Sequence, residues 1–254
     1  MNALVTVAMP TWNTPGWMLR EAVDSVLAQD VPLRLVVVND ASPTDPWAAL
    51  ADVDDDRLVR FTLERNRGCY YAESLVLAAA RTEYWTVHAA DDWSSPGRFK
   101  ALLANAGSAG AVASPCAFHR PGEAPRLDPI RGAERGHGKL RTVARHPAHL
   151  YRTDLLRTVG IPSDLRGSAD TAVVSLFWHR YEVATIPQAT YHVREWPGSL
   201  TRSAATGLGT EWRAQQRAER RRRFEAALAT GGRLTGYSPA PAHVRALKAV
   251  LART

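Results

Sequence analysis

A chain of 254 residues, 45% hydrophobic and 22% charged, has an ordinary globular composition and enough length for a large core. It holds no apolar run near the roughly 20 residues that cross a bilayer, so no transmembrane segment is expected. The net charge of +7 is uneven: residues 1–100 carry 9 Lys/Arg against 14 Asp/Glu, and residues 101–254 carry 23 against 11. A half at −5 joined to a half at +12 suggests two jobs, the basic half meeting something acidic. Without zinc-finger spacing or an RNA-binding aromatic motif, nucleic acid is not that partner. No basic, apolar leader precedes the first strand, and Cys69 and Cys116 lie in no ligand-like spacing. The expectation is a reduced, cytoplasmic protein.

Leu4 to Met9 is an apolar, β-branched run ended by Pro10, the pattern of a buried first strand. Leu19, Val23, Val26 and Leu27 recur at helical spacing, and Leu33 to Val38 is a second strand ending in Asn39-Asp40. Strand, helix and strand within 40 residues form a βαβ unit with a right-handed crossover. A third strand, Leu58 to Leu63, follows the acidic run Asp54-Asp55-Asp56, and Asn66-Arg67-Gly68 turns the chain into a helix carrying Leu75, Val76 and Ala79. Tyr84 to Val87 is the fourth strand. Beyond it lie two adjacent carboxylates, Asp91 and Asp92, and then Ser94-Ser95-Pro96, read as opening a helix. Carboxylates beyond the C-terminal end of a parallel strand stand where α/β sheets bind ligands, and hard oxygen donors there suit Mg²⁺ or Mn²⁺. The alternative reading is that they cap the next helix. This half has neither a Gly-x-Gly-x-x-Gly fingerprint nor a phosphate loop.

Ala111 to Ala113 reads as a strand, residues 117–138 as a long loop beside the site, Arg152 to Val159 and Asp170 to Trp178 as helices, and Glu182 to Ile186 and Tyr191 to Arg194 as strands. His137, His146 and His149 form a loose group that no cysteine or carboxylate completes into a zinc site. Glu211 to Leu228 is a helix with Arg220 to Arg223 at its middle, and Pro241 to Leu251 is another with one apolar face.

Val5-Thr6-Val7-Ala8-Met9-Pro10-Thr11-Trp12-Asn13 resembles the opening strand of the family 2 glycosyltransferases, and Ala22 to Gln29 their first helix. Val36 to Asp45 resembles their Asp-Gly-Ser-x-Asp segment, and Asn66-x-Gly68 and Ala90-Asp91-Asp92 follow at the expected intervals. Further on, Ala169-Asp170-Thr171 is similar to the acidic motif of the catalytic base, and Gly198-Ser199-Leu200-Thr201 to a segment near the end of the catalytic domain. The resemblance covers residues 3–205. It departs from the family at Ala89, where the first Asp of an Asp-x-Asp-Asp motif is common, and at Glu73 and Ser74, where Arg and Asn are common.

The resemblance implies an α/β protein of GT-A fold, with a Rossmann-like nucleotide-binding half (1–100) abutting an acceptor-binding half (101–205) across a mixed central sheet. A basic helical extension (206–254) would follow. It implies metal-dependent transfer, with inversion, from a nucleotide-diphosphate sugar: a UDP-sugar such as UDP-N-acetylglucosamine or UDP-glucose. Pro10, Thr11, Asn13, Asp40, Arg65 and Asp91 would hold the nucleotide sugar. Asp91, Asp92 and His192 would hold Mg²⁺ or Mn²⁺, and Asp170 would take the acceptor's proton. Trp93 and Trp196 stand where they could stack on a sugar. The acceptor is expected to be a small molecule, free or on an acidic carrier, or otherwise an acidic acceptor such as one borne by a carrier protein or lipid phosphate, and peripheral membrane contact is open. Three alternatives stay open: a transferase for surface-glycan assembly, a degenerate binding module, and a nucleotidyltransferase. The last would want a Gly-rich basic loop that Thr11 to Gly16 lacks.

Overall fold

A computed structural model describes residues 3–131, 138–140, 143–234, 236 and 238–253; His137 lies outside them. Strand β1 (Val5–Thr11) pairs in parallel with β2 (Leu33–Asn39) on one side and β4 (Tyr84–Val87) on the other, and β2 pairs in parallel with β3 (Leu58–Thr62). Beyond β4 the direction reverses. Strand β9 (His149–Arg152) is antiparallel both to β4 and to β6 (Ala111–Ala113), and β10 (Val183–Thr185) lies parallel to β6 at the edge. The order is β10-β6-β9-β4-β1-β2-β3, the mixed sheet expected of a GT-A fold.

The pleat sends alternate side chains to opposite faces, and here both faces are covered. Val5, Val7 and Met9 of β1, with Leu35 and Val37 of β2, pack on Leu19, Val23 and Val26 of α1 (Gly16–Leu27) and on Phe99 and Leu102 of α3 (Arg98–Ala104). Ala8, Val36 and Val38 face the other layer, built from α2 (Cys69–Ala79), α4 (Thr153–Val159) and α5 (Ala169–Arg180). The C-terminal helices α6 (Glu211–Thr230) and α7 (Pro241–Leu251) join this second layer. Their Phe224, Ala227 and Leu247 are buried in one cluster with Leu75, Val76 and Phe177. Helices α6 and α7 therefore pack against α5 and α2.

Most elements lie within a few residues of their expected places; the differences concern short strands. Residues 117–138, expected as loop, contribute β7 (Cys116–His119) and β8 (Arg126–Asp128). With β5 (Trp93–Ser94) and β11 (Tyr191–Arg194) they form a second sheet, ordered β5-β11-β7-β8. The helix expected from Ser94 starts later, at Arg98, because Trp93 and Ser94 pair with β11. Strands of two to four residues are too short to show a period of two. Among the described residues no helix is long and apolar enough to cross a membrane.

Candidate active site

The C-terminal ends of β1 and β2 are joined through their loops. The backbone N–H of Asp40 donates to the carbonyl of Thr11 at 2.9 Å, Ser42 N–H to Asn39 Oδ1 at 2.9 Å, and Asn13 N–H to Ser42 Oγ at 3.0 Å. Two residues here, Asn13 at φ 52° and Ala41 at φ 56°, hold the left-handed conformation that side chains disfavour. Such strain persists where surrounding bonds over-determine the backbone. Asp40 is buried, and its two oxygens accept from the backbone N–H groups of Arg67 and Gly68, each at 2.7 Å. Burial raises its pKa, against the pull of those two donors. The carboxylate thus fixes the Asn66-Arg67-Gly68 turn and, with about four lone-pair sites, keeps capacity for a ligand donor. Arg166 closes over the same turn. It donates to the carbonyl and side chain of Asn66, and a Cβ on Gly68 would meet its Cδ at 3.0 Å. Thr11 is buried, Pro10 half-buried and Arg65 exposed, the last lining a cleft of about 280 Å³ with Tyr71 and Arg166.

Beyond β4 the two adjacent carboxylates have different surroundings. Asp92 is buried; Tyr191 O–H donates to one oxygen and Arg194 N–H to the other, both at 2.8 Å. Burial, reinforced by the Asp91 charge, raises its pKa well above the ordinary value. Its bonds tie the end of β4 to β11. Asp91 is partly exposed and accepts from the indole N–H of Trp196 at 2.7 Å. Desolvation raises its pKa, opposed by Trp196 and by the Arg194 charge. That guanidinium lies 4.8 Å from the ring centroids of both Trp17 and Trp93, bonds the Asp91 carbonyl at 3.0 Å and pairs with Glu21.

His192 is half-buried with both ring nitrogens engaged: Ser95 Oγ lies 2.7 Å from Nε2, and His119 Nε2 lies 2.9 Å from Nδ1. Trp93 stacks on the ring at 5.1 Å. As placed, His192 turns no nitrogen toward a cation, and Asp92 is buried, with each oxygen tied to β11. Of the two aspartates only Asp91 is partly exposed, and the pairing of β11 with β5 and β7 draws His192 into the second sheet. Among the described residues no three His, Cys, Asp or Glu side chains converge as a complete metal site. One partly exposed carboxylate with spare lone pairs still fits a hard cation whose other ligands are diphosphate oxygens and water.

Asp170 sits in the first turn of α5, after a turn in which Ser168 takes φ 65°. Tyr70, in the first turn of α2, donates its O–H to Asp170 Oδ1 at 3.3 Å. From α6, Gln216 Oε1 accepts the N–H groups of Arg166 and Gly167 at 2.9 and 3.2 Å, and Arg213 donates to Ser168 Oγ at 3.3 Å. Arg213 also binds the carbonyls of Thr206 and Leu200. The segment that starts at Trp196 on Asp91 therefore ends against the turn that carries Asp170. Asp40 is linked to Asp170 through α2: its turn opens that helix, and both charges add to the desolvation that raises the pKa of the half-buried Cys69.

Glu73 stands where the resemblance puts an arginine. It is buried, with its carboxylate 3.3 Å from His146 Nε2, while His146 Nδ1 lies 2.9 Å from Tyr151 Oη. Burial raises its pKa and the Asp170 charge adds to that. The histidine group without a carboxylate partner in sequence thus has one in space. Sequence reasoning did not find the roles of Tyr70, Arg166, Arg213 and Gln216. Their partners around the Asp40 and Asp170 turns lie 45 to 100 positions away, and no local motif marks them.

Glycosyl transferase family 2 matches the chain over residues 6–157, more than half its length, and the chain belongs to that family. It is 34% identical over 108 residues to the succinoglycan biosynthesis protein ExoO of Rhizobium meliloti, the match spanning 42% of this chain and 31% of that protein. Among solved structures, Staphylococcus aureus TarS 1–349 in complex with UDP aligns with a TM-score of 0.66 at 18% identity, over 98% of this chain and 70% of that one. The Pyrobaculum calidifontis mannosyltransferase PcManGT, in complex with GDP-Man and Mn²⁺, aligns at 0.61 and 20% identity over the same shares. The fold is that of these GT-A proteins.

Proposed function

We propose that the protein transfers a glycosyl group from a nucleotide-diphosphate sugar, a UDP-sugar, to an acceptor, with inversion at the anomeric carbon. The observation that carries this reading is Asp170, an accessible carboxylate at a helix start, oriented by Tyr70 and linked through α2 to the turn that Asp40 organises. Pro10, Thr11, Asn13 and Asp40 form the floor for base and ribose, with Arg65 at its rim. Asp170 accepts the acceptor's hydroxyl proton as that oxygen attacks the anomeric carbon, opposite the departing diphosphate. Asp91 would hold a divalent cation, Mg²⁺ or Mn²⁺, which when bound offsets charge on the leaving diphosphate. Asp92 and His192 act from behind: the first holds Asp91's turn to β11, and the second packs under Trp93.

A glycan acceptor is favoured over a carried small molecule, because ExoO is a succinoglycan biosynthesis protein. Ala89, Glu73 and the Trp196 bond to Asp91 motivate the second reading, a module that binds a nucleotide sugar without turnover. Hydrolysis of UDP-sugars with Mn²⁺, with chelator and in Asp91→Ala tests both. Metal-dependent hydrolysis, reduced about 10-fold or more in the variant, supports the transferase. Full turnover in chelator would overturn the metal role, and binding with no turnover over a broad acceptor panel would favour the module.

A further inference from the structure

Helix α6 brings arginines to the turn before Asp170, and among the described residues no salt bridge joins them to a carboxylate. Arg213, Arg217 and Arg220 are spaced i, i+4 and i+7, one face of a helix. Arg213 reaches Ser168 Oγ, and Arg220 lies 3.5 Å from the Ser168 carbonyl, two residues before Asp170. The Nε of Arg220 is buried without a hydrogen-bond partner, and Arg217 between them is exposed. The rest of the helix behaves otherwise: Arg222 and Arg223 pair with Glu219, Arg223 also with Asp164, and Arg221 stands 3.9 Å from Glu225. Arg213 and Arg220 at this turn, with Arg217 exposed on the same helix face and felt by both, leave a positive excess over the one carboxylate Asp170, which suits the −1.5 to −2 of a phosphate monoester. Like-charge crowding is already felt there, since Arg217 works with burial to lower the pKa of both Arg213 and Arg220.

We propose that Arg217 and Arg220 form an anion subsite beside Asp170 that binds a phosphate group on the acceptor. The proposal rests on Asp170 being the acceptor-side base. A phosphate held there would set the acceptor hydroxyl near Asp170. Inorganic phosphate and glycerol 3-phosphate are titrated into the full chain by calorimetry, with and without saturating UDP, and phosphatidylglycerol vesicles are set against phosphatidylcholine vesicles. The soluble and vesicle arms separate a free phosphate ester from a lipid phosphate. In either arm, Arg217→Gln and Arg220→Gln are expected to weaken binding about tenfold, while Arg221→Gln, which removes the same charge elsewhere on the helix, binds as the wild type does. Unchanged UDP affinity in each variant reports an intact fold. Equal binding by all four proteins, or no binding in any arm, overturns the subsite. Failure to bind UDP would overturn the transferase reading instead, with the phosphate result still deciding this one.

Discussion

The loop beyond β4 and helix α6 both carry runs of like charge, and the fold handles them differently. Asp91 and Asp92 are neighbours in sequence, yet one is partly exposed beneath Trp196 and the other is locked to Tyr191 and Arg194. Arg220 to Arg223 are neighbours too, and helical geometry spreads them around the axis: one to the Ser168 turn, three to Glu225, Glu219 and Asp164. A run of charge is therefore not a patch. What each member does depends on the surface its own direction meets, and in both regions only part of the run remains open to a ligand.

The sharpest way to break this comparison is at the base. Asp170→Asn is expected to lower kcat by about 10³, within the usual range for a general base, while UDP affinity stays near wild type. Near-normal transfer by this variant would move the chemistry elsewhere. The next largest effect concerns the buried pair beneath the site. Glu73→Ala leaves His146 without its partner and should cost about 3 kcal/mol in urea unfolding. Glu73→Leu combined with His146→Leu should cost less than the single changes added together. Strict additivity would mean that the two side chains do not interact.

A smaller effect comes from histidines. Burial lowers His88 and His149 to about 3, from 6.5 in the unfolded chain. The unfolded state then binds more protons between those values, so their contribution is complete above pH 6.5 and is lost as pH falls toward 3. The buried carboxylates Asp40 and Asp92 act oppositely: their folded-state pKa values are raised, so acidification through that shift favours the folded form. Comparison with His149→Gln isolates one histidine, which bonds the Arg145 carbonyl through Nδ1 and accepts Trp178 N–H at Nε2. Wild type should lose about 1.4 kcal/mol per pH unit relative to the variant below pH 6.5; parallel stability curves would contradict the buried neutral ring. The smallest expected change is at Ala41, whose left-handed φ of 56° stands where the resemblance has glycine. Ala41→Gly should raise stability by up to about 1 kcal/mol in urea unfolding, and a loss would show that Ala41's methyl contacts outweigh the strain.

Much of the nucleotide half was legible because its signals are local. The apolar run Val5 to Met9, the helical spacing of Leu19, Val23 and Val26, and the turn at Asn66-Arg67-Gly68 each act within a few residues. Side-chain alternation and turn chemistry do not need the rest of the chain. The placing of Asp91 beyond a strand and of Asp170 at a helix start was legible in the same way. The second sheet was legible only at β11: β5 was not read as a strand, and β7 and β8 fell in an expected loop, while in the main sheet β9 was missed. Such short strands exist through pairing with residues far away in sequence.

By itself, then, the chain determined the alternating β/α order, the family and the positions at which carboxylates leave strands or enter helices. These follow from periodicity and from φ, ψ preferences that each residue carries with it. Tertiary structure decided which of two adjacent aspartates stays open, that His192 stacks under Trp93, that Glu73 meets His146, and that α6 braces the turn before Asp170. Those outcomes depend on burial and on partners up to 105 positions apart, and a side chain's charge or hydrogen bond acquires its value only when folding sets what surrounds it.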